Sequence, residues 1–499
     1  MINEIYTEAL LAAAAYADWS ENSLEADRKV ELINNRGFTE GQYKTLFDPA
    51  SGIYEAFAYT SDLNGFSATI FKNVDETSSD FNKLTVAFRG TNPGPIDFLT
   101  DISALLGNPS GGFSALFNQN NNIDTFLDSN SLLLNGELTQ PVNFAGHSLG
   151  GYLSIIAAYK YSSSFGEAYT YNGLGLNPIE NGWEEMKGIF TGRSLDETKV
   201  HNYYADKGWE GASHSLLHRP GGQESIFIEH VEFDVTLENH SIEKLVQSLS
   251  VYRVLNRIDP SLSQSKLYSI LDGASNVAAQ SLETIIDKVG DLLGGSLATQ
   301  ADKDDIELFY QGVDTYVTSL GSVLTIKDVA SLSGAAQLDT VEGQAYRYAL
   351  VNLNTFAITG SESLYTAQAN ELKAENFTEQ YLNDRSLLLS AINQRNKDNN
   401  QHPDEINGEV VRFKDADIGE VIAGGNSAGQ GHSNTATLSK TIIFGNADEN
   451  TDLITGDTND FLYGLAGDDH ILSGEIGSFK HLKIKPIEPA LINCQVRPC

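Results

Sequence analysis

Gly146-His147-Ser148-Leu149-Gly150 sets a serine between two flanking glycines. That arrangement serves nucleophilic catalysis when the serine sits on a sharp turn with its Oγ exposed. Neighbours lacking a Cβ let the chain fold that tightly. In a chain with 44 glycines the five-residue pattern is unspecific by itself, so its setting matters. The apolar run Val142–Ala145 reads as a strand entering the turn. Leu149–Lys160 leaves it with Leu149, Tyr152, Leu153, Ile156 and Ala157 at helical spacing. In a strand–turn–helix the first helical amides, beginning with Leu149, point at the place where a carbonyl oxygen gains charge.

Gly-His-Ser-Leu-Gly-Gly after such a strand resembles the class 3 lipases. Phe88-Arg89-Gly90-Thr91, followed by Asp97-Phe98-Leu99-Thr100-Asp101, is similar to that family's F-R-G-T and D-W-L-T-D segments, with Phe98 where tryptophan is usual. The resemblance implies an α/β-hydrolase catalytic domain. It also implies that the backbone N–H of Thr91 joins that of Leu149 in holding the oxyanion. Each such donor lowers the barrier by about 3 kcal/mol. Asp101 reads as a structural carboxylate of this segment.

A serine at neutral pH needs a base, and the base needs an orienting carboxylate. Of ten histidines, His147 lies inside the turn, and His402, His432, His470 and His481 lie beyond the domain. His201, His214, His218, His230 and His240 remain. The resemblance places the histidine in a loop just before a late helix, which matches His240 ahead of Ile242-Glu243-Lys244-Leu245. His214 and His218 lack a carboxylate at metal-site spacing. For the acid, Asp206 ends the strand-like run Lys199–Ala205, where sheets of this kind place their ligands. The family's aspartate follows a similar run, here Asn202-Tyr203-Tyr204-Ala205-Asp206; Asp196 and Asp234 are the rival carboxylates.

These residues need a scaffold. Lys83–Phe88, Val142–Ala145 and Ala168–Leu174 read as strands between helical segments, the βαβ pattern of a mostly parallel sheet. Residues 1–250 therefore read as an α/β catalytic domain. From 251 to 410 helical periodicity dominates, in Ser265–Leu293, Asp302–Thr318 and Glu371–Arg395, after Ser241–Leu255 at the domain's end. This is a helical scaffold without recognisable chemistry. Residues 475–499 are basic, hold both cysteines, Cys494 and Cys499, and read as an atypical, non-native tail.

Between them, residues 411–474 turn to Gly, Asp and Asn. Asp452-Leu453-Ile454-Thr455-Gly456, Asp460-Phe461-Leu462-Tyr463-Gly464 and Gly464-Leu465-Ala466-Gly467-Asp468-Asp469 approach the nonapeptide of calcium β-rolls. This resembles the RTX repeats of exported proteins. The expected ligands for structural Ca²⁺ are Asp452, Asp460, Gly464, Gly467 and Asp469, through side chains and carbonyls. Only two or three turns are present, so the expected parallel β-roll is short and incomplete. The resemblance implies type I secretion of the parent protein, through a signal that is not N-terminal; export with this chain end is doubtful.

Sixty-seven acidic against 32 basic residues give a net charge of −35. That excludes charge-driven partnership with nucleic acid or anionic membrane. Ala9–Ala17 follows Glu4 and Glu8 and is too short to span a bilayer, so it reads as an amphipathic helix and not as a transmembrane segment or signal. Leu105, Leu106, Phe113, Leu116 and Phe117, between Gly107, Gly111 and Gly112, suit a mobile lid at a lipid interface. Trp183, Met186, Ile189 and Phe190 form a second apolar stretch suited to lipid contact. The expected activity is a serine esterase acting on lipid, a triacylglycerol lipase or phospholipase A. The competing expectation is a calcium-binding extracellular adhesion module carrying an inactive hydrolase-like domain.

Overall fold

The structure is a computed structural model describing residues 1–61, 66–90, 122–175, 193–206, 219–230, 238–274, 280–293, 305–329, 333–397, 411–415, 420–423, 440–445, 452–454, 461–463 and 470–472. The chain divides into two compact units. The first comprises Met1–Arg257 with Ser296–Asp314, and the second comprises Ile258–Gly295 with Thr315–Cys499.

Unit one is built on a seven-stranded sheet. Its strands are β1 (Tyr54–Ser61), β2 (Ser67–Asn73), β3 (Leu84–Phe88), β6 (Val142–His147), β7 (Ala168–Tyr171), β8 (Val200–Asp206) and β9 (Gly222–Phe227). The numbers β4 (Leu133–Leu134) and β5 (Glu137–Leu138) belong to a small separate hairpin. The order across the sheet is β1-β2-β3-β6-β7-β8-β9. β1, β2 and β3 pair antiparallel, while every step from β3 to β9 is parallel. A mostly parallel sheet among helices is the α/β architecture expected from the sequence.

Both faces of the parallel block are covered, as such sheets require. Side chains alternate along a strand, so Leu84, Val86, Phe88, Val142 and Phe144 share one face. They pack with Tyr152, Leu153, Ile155 and Ile156 of the helix Leu149–Lys160 in the main core. The opposite face carries Thr85 and Asn143, which bond Glu8 on the N-terminal helix Ile2–Ala14. From Glu8 to Ala14 that helix is buried on every side. It is a helix as expected, but an internal layer where one amphipathic face was expected.

The strand expected over Ala168–Leu174 stops at Tyr171, because Asn172 turns into the left-handed region with φ 45°. Ser296–Asp314 rejoins unit one through Asp305, which accepts bonds from Thr39 Oγ1 and the Gly41 amide, both at 2.7 Å. The buried Glu307 adds an ion pair with Arg253 at 2.6 Å.

Unit two is mainly helical at first. The long periodic stretch Ser265–Leu293 holds two helices, Gln264–Ala274 and Ser281–Leu293. Val341–Val351 and Glu379–Lys397 follow. An antiparallel pair, β10 (Thr325–Asp328) with β11 (Phe356–Thr359), lies among them and was not expected. Beyond 410 come β12 (Val411–Asp415), β13 (Glu420–Ala423), β14 (Lys440–Phe444), β15 (Asp452–Ile454), β16 (Phe461–Tyr463) and β17 (His470–Leu472). β12, β14 and β16 run parallel in one sheet, and β15 pairs parallel with β17 in another. Buried Arg385 anchors this region by an ion pair to Asp415, while Tyr463 Oη donates to Asp384 at 2.5 Å.

Candidate active site

Ser148 stands between the last residue of β6 and the first of the helix Leu149–Lys160, with φ 58° and ψ −123°. A side chain in that region strains the backbone by about 1–3 kcal/mol. The surroundings hold it there. The Ser148 amide donates to the Tyr171 carbonyl at 3.0 Å, and the Ser148 carbonyl accepts from Gly151, Tyr152 and Leu174 amides at 3.0, 3.3 and 3.2 Å. The glycines are needed for closeness. A Cβ on Gly146 would lie 2.2 Å from the Gly150 carbonyl, and one on Gly150 would lie 2.1 Å from the Phe88 oxygen.

The end of β3 reaches the same turn. A Cβ on Gly90 would stand 2.6 Å from the His147 oxygen and 3.2 Å from Ser148 Cβ. Gly90 immediately precedes Thr91, which lies outside the described residues, as does Asp97–Asp101. Leu149 opens the helix, where backbone N–H groups have no partner within the helix. Both apolar stretches read as lipid contacts, at 102–117 and 182–190, also lie outside the described residues.

Strand polarity sorts the acid candidates. β8 runs parallel to β7, and β7 to β6, so Asp206 lies at the same carboxyl edge of the sheet as Ser148. Asp196 precedes β8 at the opposite edge, and its carboxylate caps the short turn Glu197–Lys199 through the Thr198 amide and hydroxyl. Asp234 lies outside the described residues.

The histidines separate similarly. His201 is at the far end of β8, bonded to Glu167 at 2.9 Å. His230 is buried just after β9. His214 and His218 lie outside the described residues. His240 closes the short turn Glu238–His240 and is buried beside His147 of the Ser148 turn. Its carbonyl accepts from His147 Nε2 at 2.7 Å and Asn172 Nδ2 at 3.0 Å, and its ring centre is 4.9 Å from that of His147.

His147, Asn172 and Tyr16 are the residues that sequence reasoning missed. The His147 Nε2 contact is with a carbonyl, so that nitrogen carries the proton and Nδ1 accepts from Tyr16 Oη at 2.9 Å. Burial, then the neighbouring His240, hold the His147 pKa well below the usual histidine value, which keeps this ring neutral. Burial pushes the Tyr16 phenol up to about 12, so it stays a donor. His147 carried a signal in its place inside the motif. Tyr16 carried none.

Of the five expected calcium ligands, Asp452 is described, at the start of β15; Asp460, Gly464, Gly467 and Asp469 lie outside the described residues. Among the described residues no group of three or more His, Cys, Asp or Glu side chains is arranged to hold a metal. No described helix is long and apolar enough to cross a membrane.

Residues 7–210 match the family of phospholipase-like proteins described as the Tle-like phospholipase domain. The matched stretch lies within unit one and takes in the Ser148 turn and Asp206, while His240 lies beyond it. This part of the chain is thus similar to phospholipase-like proteins, and the match supports a lipid-hydrolysing domain. No curated protein matches the chain.

Proposed function

We propose that unit one is a serine phospholipase in which Ser148, His240 and Asp206 form the catalytic triad. The observation that carries this reading is the strained φ of Ser148 at a strand–helix turn, with His240 anchored beside it. His240 takes the Ser148 hydroxyl proton as Oγ attacks the ester carbonyl, and Asp206 steadies the imidazolium. The Leu149 and Thr91 amides receive the oxyanion. Collapse breaks the ester C–O bond, the leaving alcohol takes the proton from His240, and an acyl-Ser148 remains. Water, deprotonated by the same histidine, then releases the fatty acid and restores Ser148. Triacylglycerol is the alternative substrate, sharing the carboxylic ester but lacking the phosphate headgroup.

For residues 411–474 the proposal is a short parallel β-roll that binds calcium. Its support is the alternation of β14, β15, β16 and β17 between two parallel-paired sheets. The donor set fits a hard cation, since carboxylate and carbonyl oxygens of Asp452, Asp460, Gly464, Gly467 and Asp469 are what Ca²⁺ prefers. When bound, the ion stiffens the turns; no catalytic step passes through it. Repeats of this kind support secretion without an N-terminal signal as the route of the parent protein.

The test is fatty-acid release from phosphatidylcholine vesicles and from triacylglycerol emulsion, by the intact protein and Ser148→Ala, with and without Ca²⁺. Faster release from vesicles, abolished in Ser148→Ala, supports the reading. Equal release by the folded Ser148→Ala variant rejects it.

A further inference from the structure

We propose that Asn172 is the positioning residue that sets His240 and Asp206 in place relative to Ser148; the inference rests on the triad reading above. Asn172 is fully buried at the end of β7, between the strands that carry the nucleophile and the acid. Its two amide atoms face opposite ways. Nδ2 donates to the His240 carbonyl at 3.0 Å, and Oδ1 accepts from the Ala205 amide at 2.8 Å, one residue before Asp206. Its own N–H donates to the Tyr203 carbonyl at 2.8 Å, and the preceding carbonyl, that of Tyr171, holds the Ser148 amide at 3.0 Å. Asn172 therefore fastens the His240 and Asp206 segments, and the residue before it fastens that of Ser148.

The backbone makes this possible. With φ 45°, Asn172 leaves the strand in the left-handed region, where asparagine is among the few residues at ease. An extended residue would send its side chain to one sheet face, whereas this turn lets the amide reach along the strand ends. No other neutral side chain of this length offers both a donor and an acceptor in one plane. His147 supplies the second donor to the same His240 carbonyl, and Tyr16 keeps His147 in the tautomer that donates. A Cβ on Gly90 would lie 2.4 Å from the same Tyr16 hydroxyl, so the end of β3 packs closely against this tyrosine. Fixing the His240 backbone from two sides limits where its ring can swing, and small displacements of a base are costly, about 100-fold for 1 Å.

Two variants test this. Asn172→Ala deletes both amide bonds and adds no charge beside His240. Asn172→Gly tolerates the same φ and deletes both bonds. Both should retain a folded circular-dichroism spectrum. On phosphatidylcholine vesicles kcat should fall roughly 10–100-fold with KM within about two-fold. The acid limb of the pH–rate profile should also move to lower pH, because an imidazolium no longer aligned with Asp206 is less stabilised. A merely structural role would lower the active fraction without moving that limb. His240→Ala is assayed alongside. If His240→Ala retains activity, the triad reading fails. If His240→Ala is inactive while both Asn172 variants keep wild-type kcat and pH profile, the positioning role fails alone. Unfolding of both Asn172 variants also overturns it, by making Asn172 a requirement of the fold and not of the site.

Discussion

Replacing Glu8 with Gln should change how the stability of unit one depends on pH. Glu8 is buried on the sheet-facing side of the N-terminal helix, 3% exposed. One carboxylate oxygen accepts from Asn143 Nδ2 at 2.8 Å and Thr85 Oγ1 at 3.1 Å, while Oε2 is buried with no hydrogen-bond partner among the described residues. Burial outweighs these bonds and pushes the pKa from 4.5 up to about 7. The folded form thus holds its proton through a range in which the unfolded chain releases it. The carboxyl is neutral in both states below pH 4.5, so no stability is lost there. Between 4.5 and about 7 stability falls as pH rises, and beyond about 7 the loss levels off. Converted at about 1.4 kcal/mol per pH unit, the total is on the order of 3 kcal/mol. Glu8→Gln stays neutral throughout, although its buried N–H group costs about 1–3 kcal/mol at every pH. Urea unfolding of both proteins at pH 5 to 8 isolates the effect, because the other titrating groups are shared. Trp19, Trp183 and Trp209 all lie in unit one, so tryptophan fluorescence follows that unit alone. The variant should gain about 2.5 kcal/mol on wild type between pH 5 and pH 8. Parallel stability curves would refute the reasoning.

Other substitutions probe the turn and the second unit. Ser148→Gly should abolish hydrolysis yet stabilise unit one by about 1 kcal/mol in urea titrations, because glycine relieves the strained φ. Gly150→Ala should destabilise by about 1–3 kcal/mol and remove activity, since its Cβ meets the Phe88 carbonyl; a wild-type urea midpoint would argue against that contact. Asp415→Asn should cost unit two about 3–5 kcal/mol by leaving buried Arg385 without its carboxylate. Hydrogen exchange across Glu379–Lys397 reads that loss, and unchanged protection would contradict it.

The strand–turn–helix around Ser148 was legible because its signals are local. The glycines, the entering strand and the leaving helix lie within 19 consecutive residues, and the helix spans Leu149–Lys160 as its periodicity indicated. The strand Val200–Asp206 was legible from the same kind of signal, a β-rich run ending in a carboxylate. What could not be read is what joins distant parts of the chain. Tyr16 meets His147 across 131 positions, and Asn172 meets His240 across 68. No spacing rule carries such pairings. The N-terminal helix misled because Ala and Leu repeat around its whole circumference, which marks an internal layer once a sheet is there to receive it. The pair β10–β11 escaped notice because four-residue strands such as Phe356–Thr359 leave no period to count.

In the proposed mechanism Ser148 is a nucleophile activated by His240. Incubation of the full chain with a fluorophosphonate ester, followed by peptide mass spectrometry, tests it without any assumption about the lipid. The account predicts a covalent adduct on Ser148 that disappears in Ser148→Ala and forms at least about 100-fold more slowly in His240→Ala. No adduct on the folded wild-type protein, or one on a different serine, would contradict it.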